Sequence, residues 1–238
     1  MRWQLLGALS DSDLRVSELC VQLQLSQNLV SYHLGRLRSA GVVLRRRSTA
    51  DGRDGYYTLD LGRCGELLTE MGAALHPGLR LAPRVDVQRA PRVPGCRVLF
   101  ACTGNSARSR IAEALIRELS AGTVKARSAG SHPKPLHPNA VRVLKERGIE
   151  LARRRSTGLS ELLEMQFDYV ITLCDRVREV CPEFPEHPAV IHWSVPDPSR
   201  TGSTEAETYP AFVDTLAELE ARIRFLLARI EAHQKTAA

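Results

Sequence analysis

The segment from Arg97 to Glu113 constrains the fold most, because an apolar run leads directly into a polar loop and then into a helical pattern. The apolar run V-L-F-A is typical of a strand that is buried on both faces. After the loop, Ile111 and Leu115 recur at helical spacing. The segment therefore predicts a loop placed where a parallel strand meets the N-terminus of a helix.

The loop C-T-G-N-S-A-R-S, residues 102–109, suits a tetrahedral oxyanion. Its backbone N–H groups can point into one concavity, and the helix N-terminus adds partial positive charge. Arg108 would complete the cradle with its forked guanidinium. A thiol at the mouth lies in the same field, so Cys102 is the candidate nucleophile. The other residues predicted to form the oxyanion site are Thr103, Gly104, Asn105, Ser106, Ala107 and Ser109.

An ordinary buried cysteine at position 102 is the alternative, because a cysteine and an arginine six residues apart often occur by chance. The whole motif is more specific. C-T-G-N-S-A-R-S, with Ala112 and Glu113 after it, resembles the low-molecular-weight tyrosine phosphatase superfamily, and most closely its arsenate reductase branch. The resemblance extends to S-V-P-D-P-S-R and implies that Asp197 is the general acid. Ser199 stands where the phosphatases usually have an aromatic residue, which argues against that activity.

Cys174 and Cys181 lie in I-T-L-C-D-R-V-R-E-V-C-P. Together with Cys102 they resemble the relay trio of thioredoxin-type arsenate reductases, whereas simple burial is the alternative for either one alone. The resemblance implies that Cys174 attacks Cys102 and that Cys181 then attacks Cys174, leaving a disulfide for a thioredoxin-like reductant. It implies no metal and no organic cofactor. If the intervening segment is helical, it has to unwind before this disulfide can form.

Residues 1–78 are predicted to form a separate, small α+β domain. Helical patterns run through Trp3–Leu9 and Ser17–Leu23, with Ser17 as the predicted cap, and Ser26 caps a third helix that ends near Gly41. Two strands around a turn-rich segment complete the order of a winged helix-turn-helix. Between residues 36 and 53 there are six arginines against one aspartate, which places positive charge where DNA phosphates would lie.

The segment L-S-Q-N-L-V-S-Y-H-L-G-R-L-R-S-A-G-V-V resembles the recognition helix of ArsR-type winged-helix repressors, which sense arsenic and metals. The resemblance implies duplex DNA as a partner. Gln22 stands where a second arsenic-binding thiol would accompany Cys20, so arsenite sensing here is in doubt. A protein-interaction domain with a solvated arginine face is the alternative. The residues predicted to contact DNA are Gln27, Asn28, Ser31, Tyr32, His33, Arg36, Arg46 and Arg53.

Residues 79–95 are rich in proline and arginine and are predicted to be a linker. Residues 96–238 then alternate between strand and helix patterns, which predicts an α/β domain with a four-stranded parallel sheet and helices on both faces. The last helix carries an apolar stripe that covers the sheet or, alternatively, forms a homodimer contact. The predicted strands are 97–101, 124–129, 169–173 and 190–192, and the predicted helices are 109–120, 138–147, 161–165 and 207–232.

Composition argues against membrane proteins and against secreted proteins held together by disulfides. The 238-residue chain is 43% hydrophobic and has a net charge of +6, and no apolar run approaches membrane-spanning length. The apolar patch near the N-terminus is too short for a signal peptide. We therefore expect a cytoplasmic protein that binds no membrane, in which six cysteines serve catalysis, metal binding or burial rather than a disulfide scaffold.

Together these patterns predict an enzyme that reduces arsenate to arsenite by a three-cysteine relay and carries a DNA-binding regulatory domain for arsenic resistance. One alternative is a low-molecular-weight phosphatase, against which the two extra cysteines argue. The other is a non-catalytic regulator that only senses an oxyanion. The presence of Cys102, Arg108 and Asp197 together argues against this second alternative.

Overall fold

A computed structural model describes residues 1–52, 54–76, 95–151 and 155–237. The chain divides into two compact units, Met1–Val87 and Gln88–Ala238, each with a hydrophobic core of its own. Nearly all of the predicted linker lies outside the described residues. Arg53, one of the predicted DNA contacts, also lies outside them.

The first unit has the order of a winged helix, as predicted. Its elements are α1 (Arg2–Leu9), α2 (Val16–Leu23), α3 (Gln27–Ser39), β1 (Val43–Arg47), β2 (Gly55–Leu59) and α4 (Leu61–Leu75). The two strands are antiparallel, with Val43 opposite Leu59. Apolar residues of α1, α2 and α3 at helical spacing, among them Leu5, Leu19 and Leu34, are fully enclosed in the core of this unit.

Three details of the first unit differ from the sequence predictions. The predicted cap at Ser17 is wrong, because the Glu18 carboxylate accepts a 2.7 Å hydrogen bond from the Arg15 amide and thereby starts α2 at Val16. Ser26 is the N-cap residue of α3, but its side chain makes no capping hydrogen bond. The sequence pattern does not predict α4, since three glycines weaken its helical signal.

The second unit contains the predicted four-stranded parallel sheet. Its elements are β3 (Arg97–Cys102), α5 (Arg108–Leu119), β4 (Lys125–Gly130), α6 (Pro138–Lys145), β5 (Tyr169–Thr172), α7 (Asp175–Val180), β6 (Ala189–His192) and α8 (Glu205–Ala237). The strand order is β4-β3-β5-β6, and all neighbours are parallel. The apolar run of β3 is completely buried because this strand lies between two others. The loop 102–109 follows the carboxyl end of β3 and therefore lies at the edge of the sheet where the parallel strands end.

The final helix covers the core of its own unit. The predicted apolar stripe of α8, from Phe212 to Ile230, is buried, and α8 packs against α5 and α6. This packing favours the core over a homodimer contact for that stripe. The predicted helix at 161–165 is wrong in position and type, because a 3-10 helix spans Leu159–Leu162 instead. None of the helices in the described ranges is long and apolar enough to cross a lipid bilayer.

Candidate active site

The oxyanion loop, residues 102–109, has its carbonyl groups turned outwards. The carbonyls of residues 102–104 and 106 accept hydrogen bonds from backbone amides of residues 131–137. The carbonyl of Asn105 accepts one from Ser156 Oγ at 3.0 Å. Because a trans peptide points its N–H away from its C=O, the N–H groups of the loop face the opposite, enclosed side. The loop thus forms a nest of donors for an anion.

Residues 131–137, which hold the loop, alternate hydrogen-bond donors with prolines. The amides of His132 and Lys134 each donate over 2.8 Å, to the carbonyls of residues 103 and 104. Pro133 and Pro135 occupy positions from which no N–H is needed. Since proline also fixes its own φ angle, residues 131–137 form a stiff backbone strap that is hydrogen-bonded to the oxyanion loop.

The thiol of Cys102 lies at the base of the nest and has two hydrogen-bond contacts. The amide of Asn105 donates to its sulfur over 3.3 Å, and Ser109 Oγ lies 3.0 Å from the sulfur. Ser109 Oγ also accepts a hydrogen bond from Asn105 Nδ2 at 3.0 Å. These contacts hold the Cys102 sulfur at the base of the nest, with the amide N–H of Asn105 directed at it.

Asn105 and Ser109 support the site from behind rather than lining it. Both side chains are fully buried, so the structure gives them contacts that brace the loop and the Cys102 sulfur, whereas their part in oxyanion binding stays a prediction. Asn105 has a φ of 48°, which is uncommon for a residue with a side chain. Its Oδ1 accepts a hydrogen bond from the Thr157 amide at 2.9 Å, and this bond holds the strained conformation in place.

Gly130, at the end of β4, permits the close approach of the loop, although the sequence pattern does not indicate this role. A Cβ atom at this position would lie 2.8 Å from both the Asn105 nitrogen and the Thr103 carbonyl oxygen. Backbone atoms cannot yield as a flexible side chain would. Only glycine at position 130 therefore lets β4 and the loop pack together in this geometry.

Arg108 is buried and held in a ready orientation. Its Nη1 donates to the Val195 carbonyl at 3.0 Å, and its Nη2 donates to Asp197 Oδ2 at 2.9 Å. Its Nε is enclosed and has no hydrogen-bond partner among the described residues. A buried guanidinium whose Nε donor is unused is suited to an incoming oxyanion. Asp197 is oriented in turn by Ser199, whose Oγ donates to Asp197 Oδ1 at 2.8 Å.

A cleft of about 280 Å³ opens over the loop. Cys102, Arg108 and Asp197 line it together, although 95 positions of sequence separate the first from the last. The other predicted loop residues that line it are Thr103, Gly104, Ser106 and Ala107. Among the described residues, its lining contains no aromatic ring and includes three further cationic side chains, Lys134, Arg176 and Arg200. The cleft therefore suits a small, highly charged anion.

The two other predicted relay cysteines lie at the two ends of α7. Cys174 is its N-cap residue and is buried, and Cys181 is its C-cap residue and is half-buried. Thr103 Oγ1 lies 3.2 Å from Cys174 Sγ, so Cys174 borders the oxyanion loop. Both thiols are free. Burial raises the pKa of Cys181 to about 11, which keeps this thiol protonated at neutral pH.

A buried polar network anchors the first residue of α7, and the sequence pattern gives no sign of it. Asp175 Oδ1 accepts a hydrogen bond from Ser194 Oγ at 2.8 Å and lies 3.1 Å from His192 Nε2. His192 Nδ1 lies 2.8 Å from Thr172 Oγ1. The network ties the start of α7 to the ends of β5 and β6, and it fixes the position of Cys174.

In the first unit, most of the predicted DNA contacts lie on the accessible side of α3. Gln27, Asn28, Ser31, Tyr32 and Arg36 are exposed. His33 is only half-buried, but its Nδ1 is enclosed, and its ring packs edge-on against that of Tyr32 at 5.1 Å between ring centres. Arg46 is half-buried on β1, opposite Tyr56. Five of the eight predicted DNA contacts are therefore exposed residues of α3.

Two family models match the chain. Residues 97–236 match the low molecular weight phosphotyrosine protein phosphatase family, and residues 1–44 match the bacterial regulatory protein, arsR family. The first match covers more than half of the 238 residues. It extends over the entire sheet of the second unit and over every residue of the cleft.

Individual relatives resemble the second unit. An arsenate reductase of Bacillus subtilis (strain 168) is 35% identical over 127 residues, which are 53% of this chain and 91% of that protein. An arsenate reductase of Halalkalibacterium halodurans is 33% identical over the same shares of the two chains. Among solved structures, the YwlE arginine phosphatase from Geobacillus stearothermophilus has a TM-score of 0.50 at 27% identity, covering 60% of this chain and 97% of its own.

Proposed function

The chain belongs to the low molecular weight phosphotyrosine protein phosphatase family, and we propose that its second unit is an arsenate reductase. In this enzyme a disulfide would form between Cys102 and Cys174 and would then be transferred to Cys174 and Cys181. The observation that carries the proposal is the position of Cys174, whose sulfur lies 3.2 Å from Thr103 Oγ1 at the rim of the oxyanion loop. A phosphatase needs only the nucleophile of the loop. A second thiol at the rim supplies the reducing equivalent that arsenate requires. The arsenate reductases among the relatives agree with this assignment.

The first step joins Cys102 to arsenic. Arsenate occupies the nest of amides, with Arg108 Nε and Nη2 donating to its oxygens, and Asp197 is released from Arg108 as the anion enters. The Cys102 thiolate attacks arsenic, and a hydroxyl group of arsenate leaves as water after Asp197 delivers a proton to it. The product is a thiol ester of arsenic(V) that is still bound in the nest.

The second step reduces arsenic. The Cys174 sulfur attacks the Cys102 sulfur, a disulfide forms between them, and the sulfur–arsenic electron pair leaves with arsenic. Arsenic(V) becomes arsenic(III), the two sulfurs are each oxidised by one electron, and the thiol proton of Cys174 passes to an arsenite oxygen. Arsenite then leaves the cleft. Thr103, which contacts Cys174, is suited to orienting this thiol for the attack.

The third step moves the disulfide away from the cleft. The Cys181 thiolate attacks Cys174, and Cys102 departs as a thiolate that is ready for another turnover. The Cα atoms at the two ends of α7 are roughly 10 Å apart at a rise of 1.5 Å per residue, whereas a disulfide tolerates about 7 Å. The helix therefore has to unwind. A thioredoxin-like dithiol would then reduce the exposed Cys174–Cys181 disulfide, in a reducing, cytoplasmic compartment.

For the first unit we propose sequence-specific binding to duplex DNA, with regulation of arsenic-resistance genes as its purpose. Support comes from the arsR family match, from the exposed polar face of α3, and from the arginines of β1, which lie on the adjacent hairpin. Short polar side chains such as Gln27 and Asn28 can reach base edges in a major groove, and arginines contact phosphates.

A phosphatase is the second candidate function, and similarity to an arginine phosphatase favours it. The positive charge of the cleft argues against phosphorylated arginine as the substrate, because its cationic side chain would lie next to Arg176 and Arg200. The deciding experiment measures arsenate-dependent oxidation of reduced thioredoxin and hydrolysis of an aryl phosphate on one preparation. Cys181→Ser is the matched variant. A reductase loses turnover with this change, whereas a phosphatase keeps its full rate.

A further inference from the structure

Helix α7 is fixed to the protein at its beginning and is exposed near its end. Asp175 and Val177, in its first turn, are buried, whereas Glu179 and Val180 are exposed. The helix has only six residues, and so short a helix depends on packing more than on its own hydrogen bonds. The two cysteines that flank it therefore differ in how easily each can move.

Cys174 is held from both sides, by the sheet and by the buried polar network. Before it, the Leu173 amide donates at 2.7 Å to a carbonyl of β3, the strand that leads into the oxyanion loop. After it, Asp175 Oδ1 accepts a hydrogen bond from Ser194 Oγ at 2.8 Å and lies 3.1 Å from His192 Nε2. All three side chains of the network are buried. Opening it would remove hydrogen bonds from enclosed polar groups, which is unfavourable.

The chain that follows Cys181 has more freedom. In the part of the chain that the structure describes, no backbone hydrogen bond ties residues 182–188 to a strand or a helix. The nearest buried side chain after Cys181 is that of Phe184, whose ring packs edge-on against Phe167 at 5.5 Å between ring centres. An extended chain can span about 10 Å between Cys181 and Phe184. Cys181 can therefore move by several ångströms while Phe184 stays in the core.

We propose that Asp175 is a positioning residue of the relay, which keeps Cys174 beside the oxyanion loop while the rest of α7 unwinds. The proposal rests on the reductase function given above and specifies how its third step proceeds. Cys181 makes the movement, and its sulfur reaches the Cys102–Cys174 disulfide at the place where that disulfide formed. Cys102 then leaves as a thiolate into the nest of amides, and the oxyanion loop does not have to open.

Hydrogen exchange followed by mass spectrometry shows which parts of the protein move. The full-length protein is compared in its reduced form and after one equivalent of arsenate, once arsenite has been removed by desalting and the Cys174–Cys181 disulfide has been verified by peptide mapping. We expect faster exchange in residues 176–183 and unchanged exchange in residues 189–195, which contain His192 and Ser194. Faster exchange in both segments would mean that the network opens and that Cys174 moves, which overturns the proposal.

Substitutions test whether Asp175 positions the thiol for reaction. In a Cys181→Ser background, Asp175→Ala should slow the arsenate-driven formation of the Cys102–Cys174 disulfide by about ten- to a hundredfold, because a small displacement of a reacting group has effects of this size. Asp175→Asn should keep most of the rate, since its amide oxygen can still accept hydrogen bonds. Ser194→Ala, which removes one contact of the network, should slow the reaction less, and it decides the matter if Asp175→Ala does not fold.

Binding of inorganic phosphate separates positioning from a general loss of structure. Phosphate should protect Cys102 from iodoacetamide equally well in all of these variants, because neither Asp175 nor Ser194 lines the cleft. If protection weakens in proportion to the rate of disulfide formation, Asp175 only supports the fold, and the proposal is wrong. If disulfide formation keeps its parental rate in Asp175→Ala, the proposal is also wrong, although the reductase assignment stands. If Cys181→Ser alone forms no disulfide with arsenate, the reductase assignment fails, and this proposal fails with it.

Discussion

Cys174 and Cys181 are the N-cap and C-cap residues of the same helix, α7. A helix between two thiols acts as a spacer, because the thiols stay too far apart for a disulfide as long as the helix is formed. Reduced protein is therefore protected from closing this disulfide prematurely. The arrangement makes the last step of the proposed relay depend on a conformational change rather than on proximity alone.

The first prediction concerns the order of disulfides. One equivalent of arsenate should produce a Cys174–Cys181 disulfide in the parent protein, and Cys181→Ser should accumulate the Cys102–Cys174 disulfide, because no third thiol is present to resolve it. Peptide mapping after alkylation of free thiols distinguishes the two. Cys96→Ala is the control, since this buried cysteine lies outside the relay, and it should give the parental pattern. A Cys181→Ser protein without any disulfide would contradict the relay.

The second prediction concerns pH. Burial raises the pKa of Cys181 from about 9 to about 11, so its thiolate, the reactive form, increases with pH up to that value. The rate of Cys181 alkylation by iodoacetamide in the resting protein should therefore reach half of its maximum near pH 11. The same peptide in urea should reach half of its maximum near pH 9, because unfolding removes the burial. Equal midpoints in both conditions would mean that α7 already opens freely in the resting protein.

The third prediction concerns Gly130. Gly130→Ala should lower kcat/KM for arsenate by about a hundredfold, because the new methyl group would displace the loop backbone, and small displacements of reacting groups have effects of this size. The strain should also lower the free energy of unfolding by about 1–3 kcal/mol. Gly158→Ala is a matched control on the neighbouring backbone, where a Cβ would meet its nearest atom at an ordinary 3.4 Å. Steady-state kinetics measures kcat/KM, and denaturant unfolding measures the free energy of unfolding. Equal losses of both quantities in Gly130→Ala and Gly158→Ala would contradict a special requirement for glycine at position 130.

The fourth prediction concerns DNA binding by the full-length chain. Affinity should fall with salt, and replacing Arg36 or Arg46 with Gln should reduce the log–log slope by about 0.9 for each lost phosphate contact. Gln27→Ala should leave the slope unchanged and reduce the preference for DNA from upstream of its own gene. Arg63→Gln is the control, because Arg63 on α4 already pairs with Glu66 and Glu70. Fluorescence anisotropy of labelled DNA at several salt concentrations measures the affinity of all four variants and of the parent protein. Identical slopes throughout would favour a protein-interaction domain.

The catalytic motif could be predicted from sequence because its residues are close together in the chain. Cys102 and Arg108 lie in one loop whose flanking patterns indicate a strand and a helix, and a short motif fixes such a geometry almost by itself. The parallel sheet could be predicted because strand patterns alternate with helical patterns along the chain, and because β3 and β5 are short apolar runs. Asp197 required the family resemblance, because nothing in its local sequence specifies that it meets Arg108.

Contacts between distant segments could not be predicted. Gly130 is needed only because the loop at 102–109 packs against it, and a glycine at the end of a strand can equally serve a turn or a bulge. The network of Asp175, His192 and Ser194 joins two strand ends that become neighbours only in the folded sheet. The hydrogen bond from the Thr157 amide to Asn105 Oδ1 likewise joins segments 52 residues apart, and the local pattern could not reveal it.

The hydrogen bonds from the backbone strap at residues 131–137 to the oxyanion loop also limit which substitutions this strap can accept during evolution. It contributes N–H groups to the loop, and a backbone N–H is supplied equally by nineteen of the twenty amino acids. At position 132, whose side chain is exposed and does not line the cleft, selection therefore acts on the presence or absence of an imino acid more than on side-chain identity. His132 can change to many other residues while the nest keeps its shape, whereas proline there would remove the amide that donates to the Thr103 carbonyl.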